Sequence, residues 1–223
     1  MSEKSKISVD DAYALETPED NVELYKKWAG TYDTDFAQAE GYVLYLHVAE
    51  QLLRRQSQFQ GAVLDVGCGT GLVGAALRLG GAEVVDGIDI SHDMLAEACL
   101  KRTEQGDPVY RNLIPADLTQ EIGIDNDLYG ALVSAGTFTH GHLGPESLDE
   151  LWRVAAPGAL AVIGVRSTHY EAMGFKAKFE ADVASGTITE PEVVIVNVYG
   201  ENASNARHAD DKTHIFICRV LPA

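Results

Sequence analysis

Apolar positions along this chain switch repeatedly between a helical period and short unbroken runs. Val43, Leu44, Val48 and Leu52 recur at helical spacing and predict a helix over 42–56 with one buried face. Runs at 61–66, 83–89, 108–113, 128–134 and 159–166 read as buried strands, separated by helical patterns at 71–80, 91–104 and 145–155. In the last of these Leu148, Leu151 and Trp152 share a face. A helix over 170–184 and strands at 191–199 and 213–220 complete the pattern. Alternating strands and helices imply a mostly parallel sheet with right-handed crossovers and helices on both faces. The last two strands are joined by a polar loop with no helix, which predicts an antiparallel pair. Upstream, Thr17-Pro18-Glu19-Asp20 reads as a capped helix start, with the helix running to about Trp28 and ended by Gly30. The expected organisation is a mobile N-terminus over 1–16, a helical cap over 17–60 and an α/β domain over 61–223.

The first strand leads into GAVLDVGCGTG, where Gly67, Gly69 and Gly71 alternate after Asp65. Glycines are wanted where backbone takes positive φ or where a ligand lies against the chain with no Cβ between. About twenty residues on, Asp89 stands at the tip of the next strand, placed to accept hydrogen bonds from ribose hydroxyls. Together these predict an adenosine-containing cofactor at the carboxyl edge of the sheet. GTGLVG satisfies the dinucleotide fingerprint, so an NAD-dependent oxidoreductase is one reading. Three details favour S-adenosylmethionine instead. Asp65 would repel a pyrophosphate but not a ligand carrying an ammonium and a sulfonium. The turn holds a fourth glycine, Gly74, and is longer than a dinucleotide needs. Asp117 follows the third strand, where an adenine amino group is met. Each acid also has a plainer role: Asp65 as a turn cap, Asp89 as a cap of the helix near Ser91, Asp117 as an Asx-turn.

These residues carry a resemblance. VLDVGCGTG resembles motif I of the class I methyltransferases that use S-adenosylmethionine, GIDIS-HDML their ribose segment, and PADLT their adenine segment. Ala156-Pro157-Gly158 is similar to the turn before their fifth strand, with Ala159 replacing its final glycine. LYKKWAGTYDTDF and SAGTFTHGH resemble, more narrowly, the Williams-Beuren-region methyltransferase-like proteins and their bacterial relatives. The resemblance implies a Rossmann-like α/β fold: a seven-stranded, mostly parallel sheet with an antiparallel C-terminal strand and an N-terminal helical lid. It implies an S-adenosylmethionine site formed by Asp65, Gly67, Gly69 and Gly71, with Asp89 on the ribose. Ile90 and Met94 would pack on adenine, with Asp117, Leu118 and Ser134 completing the wall. A protein that binds S-adenosylmethionine without catalysis is a further alternative.

A formal charge of −17, from 34 acids against 17 bases, would repel a phosphate backbone, so a small-molecule acceptor is expected in place of nucleic acid. An Asn-Pro-Pro-Tyr-like segment, used by amino-group methylases of nucleic acids, is missing after strand four. The three cysteines are widely spaced and read as small packing residues. No run reaches membrane-span length and the start is not a secretory signal, which predicts a cytoplasmic protein. Oligomeric state is left open.

Methyl transfer needs alignment above all, and a base only where the nucleophile is protonated. The candidate bases are His140 and His142, in the loop expected after strand four at the ligand-binding edge. No metal site is expected, because two histidines alone lack further ligands. Tyr25, Trp28, Tyr32 and Phe36 form an aromatic group on the N-terminal segment. Tyr25 and Tyr32 are the candidates for covering a sulfonium by cation–π contact, with Gly30 and Gly41 as hinges.

Overall fold

Seven strands form, six of them over the apolar runs that predict them, in a computed structural model that describes residues 11, 15, 17–139, 142–200 and 208–222. The expected mobile stretch over 1–16 lies outside these apart from Asp11 and Leu15, and His140 lies outside them too. The strands are β1 (Val63–Val66), β2 (Val85–Asp89), β3 (Leu113–Pro115), β4 (Tyr129–Phe138), β5 (Ala155–Arg166), β6 (Glu192–Asn197) and β7 (Lys212–Arg219). Their order is β3-β2-β1-β4-β5-β7-β6. β7 runs antiparallel to both neighbours, while the pairs from β3 to β5 are parallel. The antiparallel ending expected from the helix-free connection is therefore present.

Among the described residues seven α-helices with both ends defined flank the sheet: α1 (Pro18–Trp28), α2 (Leu44–Leu53), α3 (Leu72–Leu79), α4 (His92–Leu100), α5 (Leu148–Val154), α6 (Ser167–Ala172) and α7 (Phe175–Ala184). Strand residues alternate between two cores. Val63, Val85 and Val133 pack with Val48 and Leu77 on one face. Leu64, Val66 and Leu132 pack with Leu148 and Phe179 on the other. Burying a side chain as fully as Leu77 contributes about 1.5–3 kcal/mol. Trp28, Phe36, Tyr42 and Leu44 belong to the first core, so the N-terminal segment is packed against the sheet. No helix among the described residues is long and apolar enough to cross a membrane.

Several boundaries differ from expectation. α1 ends at Trp28 as expected, but the chain stays helical past Gly30, through a tight turn at Ala29–Thr31 and a π-helix at Tyr32–Gln38. Gly30 keeps negative φ, and the real break is Gly41 at φ +67°. The reciprocal cap at the start is present: Thr17 Oγ1 accepts from the Asp20 N–H, and Asp20 Oδ2 from the Thr17 N–H, both at 3.1 Å. The strand expected at 108–113 is only Leu113–Pro115, because Asp86 takes the Asn112 N–H at 3.0 Å and Tyr110 turns inward beneath the glycines. The helix expected at 91–104 stops at Leu100, and the one at 170–184 is split at Gly174, φ +80°. The helix expected over 145–155 is a 3-10 turn at Pro145–Ser147 followed by α5. Residues 134–138, expected to be loop, continue β4 through an irregularity containing Gly136 at φ +83°.

Candidate active site

A cleft opens at the carboxyl ends of β1, β2 and β4, where strand order reverses and open α/β sheets bind ligands. Its empty volume is about 790 Å³ with the open mouth included, ample for a nucleoside-sized molecule. The floor is the glycine turn. Gly67 has φ +65° and lies so close to Thr137 that a Cβ would meet Thr137 Oγ1 at 2.1 Å. Gly69 has φ +53°, and its missing Cβ points into open space. A ligand can therefore lie directly against Gly69.

Asp89 forms the wall beside it. Its Oδ2 accepts the Gly69 N–H at 2.8 Å and its Oδ1 the Ser91 N–H at 2.8 Å. Two close backbone donors fix the carboxylate, the Ile90 N–H also acts on it, and a carboxylate has about four acceptor sites, so capacity remains for a ligand hydroxyl. Burial raises the Asp89 carboxyl above its ordinary range, against the lowering pull of the Ser91 and Gly69 N–H groups. The capping role weighed for Asp89 falls to Ser91, whose hydroxyl accepts from the Met94 N–H at 3.3 Å.

Ile90, Met94, Asp117 and Leu118 line the same cleft. Asp117 also makes an Asx-turn, Oδ1 accepting from the Thr119 N–H at 2.9 Å and from its hydroxyl at 2.7 Å. Tyr25, Tyr32 and His142 close the far side, with Tyr25 Oη 3.0 Å from His142 Nε2.

Three expected site residues do not line this cleft. Asp65 is buried beneath the turn, where its Oδ2 accepts from the Gly74 N–H at 3.0 Å and from Tyr110 Oη at 2.7 Å. Burial, the largest effect, pushes its carboxyl up to about 7. Gly71 caps α3 with φ +91° and faces the Tyr110 ring. Ser134 is fully buried and donates to the Val66 carbonyl at 3.0 Å. Sequence reasoning missed Asn21, Gly136 and Thr137 as lining residues. Asn21 had a signal, because it precedes Tyr25 by one helical turn. Tyr110 had none, since nothing local shows that its ring turns under the glycines.

A second cavity shares Tyr25, Tyr32, Gly136 and His142 with the first and continues among Trp28, Phe36, Tyr42 and Tyr199. Among the described residues no group of three or more His, Cys, Asp or Glu is arranged to hold a metal ion.

Comparison with known proteins agrees with this geometry. A methyltransferase domain family matches residues 63–158. That match runs from β1 into β5, the part of the sheet that carries the glycine turn and Asp89. Human methyltransferase-like protein 27 is 30% identical over 166 residues, covering 72% of this chain and 63% of the human protein. The chain thus matches less than two thirds of that relative's length. Two solved structures share the fold. Magnesium protoporphyrin IX methyltransferase from Synechocystis PCC 6803, solved with bound S-adenosylmethionine, is 17% identical with a TM-score of 0.57, over 79% of this chain and 77% of that one. The YcgJ protein from Bacillus subtilis is 12% identical with a TM-score of 0.55, over 80% and 99%. The cleft residues fit S-adenosylmethionine, the cofactor bound in the Synechocystis structure: the open side of Gly69 and the carboxylate of Asp89 both line the cleft.

Proposed function

We propose that the protein binds S-adenosylmethionine in the first cleft and moves its methyl group to a small-molecule acceptor through oxygen, nitrogen or sulfur. The observation that carries this reading is Asp89, a carboxylate held by two backbone N–H groups at the cleft wall with acceptor sites to spare. In this reading Asp89 receives the ribose hydroxyls, and the cofactor lies against Gly67 and Gly69. Ile90 and Met94 cover adenine, and Asp117 and Leu118 meet its edge. Asp65, Gly71 and Ser134 act from beneath, holding the turn in shape. Tyr25 and Tyr32 offer ring faces to the cation.

The bound cofactor supplies a methyl carbon already activated by a sulfonium leaving group. The chain supplies alignment, since in-line displacement is accelerated most by holding nucleophile and carbon in register. His142 stands where the two cavities join, and its imidazole with Tyr25 takes a proton from a hydroxyl or ammonium acceptor. His140, the other candidate base, is two residues away. The surrounding charge of −17 opposes a nucleic-acid acceptor. Incubation with methyl-labelled cofactor and a metabolite extract tests the reading. Label should appear in a small molecule and be lost with Asp89→Ala; label in nucleic acid, or binding of NADH with indifference to S-adenosylmethionine, overturns it.

A further inference from the structure

Two carboxyls flank the glycine turn, Asp65 buried beneath it in β1 and Asp89 at the cleft wall at the end of β2. Asp65 Oδ2 accepts from the Gly74 N–H and the Tyr110 hydroxyl, while Asp65 Oδ1 is buried with no hydrogen-bond partner among the described residues. The elements packed around it bring no cation. Asp89 from β2 is a second acid, and Cys68 in the turn and Tyr110 before β3 are weak acids. α3 offers only the Gly74 N–H, and β4 sets Val133 alongside. Lys101, whose stem packs at Gly71, is paired with Asp33. A carboxylate so placed has lost its water and gained no opposite charge. Burial accordingly pushes the Asp65 carboxyl up to about 7 against the pull of the Tyr110 and Gly74 donors, and the charge of Asp89 adds to the rise.

We propose that Asp65 determines how strongly the site prefers S-adenosylmethionine over S-adenosylhomocysteine, by releasing its proton to solvent when the sulfonium binds above it. The proposal rests on the methyl-transfer reading above. The two ligands differ by one methyl group and one positive charge: both carry an ammonium and a carboxylate, and only the first carries a sulfonium. Asp65 precedes Gly67 by two residues, so their Cα atoms lie at most about 7 Å apart. A charge held against Gly67 and Gly69 acts on Asp65 through protein in place of water, where attraction is strong and no contact is needed. A cation there favours the ionised carboxyl and lowers the pH at which the proton leaves. A thioether does so less. The coupling is reciprocal, so ionised Asp65 strengthens the sulfonium ligand more than the thioether. Methyl transfer removes the sulfonium charge, a proton returns from solvent to Asp65, and the product is held less tightly than the cofactor it came from.

Calorimetric titration of the full chain with each ligand from pH 5 to 7, where the ammonium of both stays charged, tests this. The preference for S-adenosylmethionine, read as the ratio of the two dissociation constants, should rise about tenfold across that range. Such a rise corresponds to about one pH unit between the proton-release points of the two complexes. At pH 6, in two buffers of different ionisation enthalpy, S-adenosylmethionine should release more protons than S-adenosylhomocysteine. Asp65→Asn, which keeps an oxygen for the Gly74 and Tyr110 donors, should flatten the ratio against pH and remove the extra proton release. Tyr110→Phe removes a donor to the ionised carboxyl and should move the rise to higher pH, an independent check should Asp65→Asn fold poorly. A pH-independent ratio in the parent, or the same rise in Asp65→Asn, overturns the role of Asp65 and leaves the cofactor site standing. Failure of both ligands to bind overturns both readings.

Discussion

Asp33 Oδ1 accepts a hydrogen bond from the Thr70 hydroxyl at 2.6 Å, tying the N-terminal segment to the glycine turn. The other oxygen of Asp33 is paired with Lys101, which leads out of α4. The segment that carries Tyr25 and Tyr32 is thus fastened to the cofactor turn by a part-exposed charged cluster, alongside the buried rings of Trp28 and Phe36.

Removing that fastening should loosen the segment locally. Asp33→Ala is expected to raise amide exchange and proteolysis over 22–42 relative to α7, with a global stability loss of only about 1 kcal/mol, because the pair is partly solvent-screened. S-adenosylhomocysteine should restore part of the protection. Equal exchange in variant and parent would reduce the segment to a fixed helical element and contradict the expectation that it acts as a lid.

The glycine turn predicts opposite outcomes for neighbouring substitutions. At Gly69, φ +53° with open space beyond, Ala should cost about 1–2 kcal/mol in backbone strain, leave the fold intact and weaken the cofactor by obstructing the cleft floor. At Gly67 the new Cβ would strike the Thr137 side chain at 2.1 Å, so Ala should destabilise the folded protein more strongly. Melting curves and cofactor titrations of the two variants check the contrast; equal melting temperatures would contradict it.

Asp65 makes stability depend on pH. Its carboxyl is pushed up to about 7 in the folded chain by burial, against about 3.8 ordinarily, so the folded state holds a proton that the unfolded state has lost between those values. Stability should therefore be highest below about pH 4 as far as this group is concerned, and should fall as pH rises toward 7, by on the order of 4 kcal/mol in total. Asp65→Asn retains an oxygen for the Gly74 and Tyr110 donors and has no such titration. Its melting temperature relative to the parent should rise from about pH 4 to 7 and level off above that, and a pH-independent difference would refute the assignment.

Most of the sheet was legible because its signals are local. A buried strand shows as an apolar run, and β1, β2, β4 and β5 each carry one. The glycine turn and Asp89 were legible for the same reason, since positive φ and a strand-tip carboxylate leave marks in adjacent residues. What escaped depends on contacts distant in sequence. Tyr110 is drawn inward by Asp65, and that bond shortens the third strand. The π-helix after Thr31 keeps Tyr32 on a helical surface where Gly30 suggested an end. Asp65 looked like a ligand because its place in the turn is visible in sequence, whereas the direction of its carboxylate is set by α3 and Tyr110.

The central claim is that Asp89 receives the ribose of S-adenosylmethionine, and calorimetric titration of the parent and Asp89→Ala measures it most directly. Losing a charged acceptor for two hydroxyls should cost on the order of 1.5–3 kcal/mol, so the account predicts saturable binding to the parent and at least tenfold weaker binding to a folded variant. Equal affinity in the two proteins, with the variant's fold verified by circular dichroism, would contradict it.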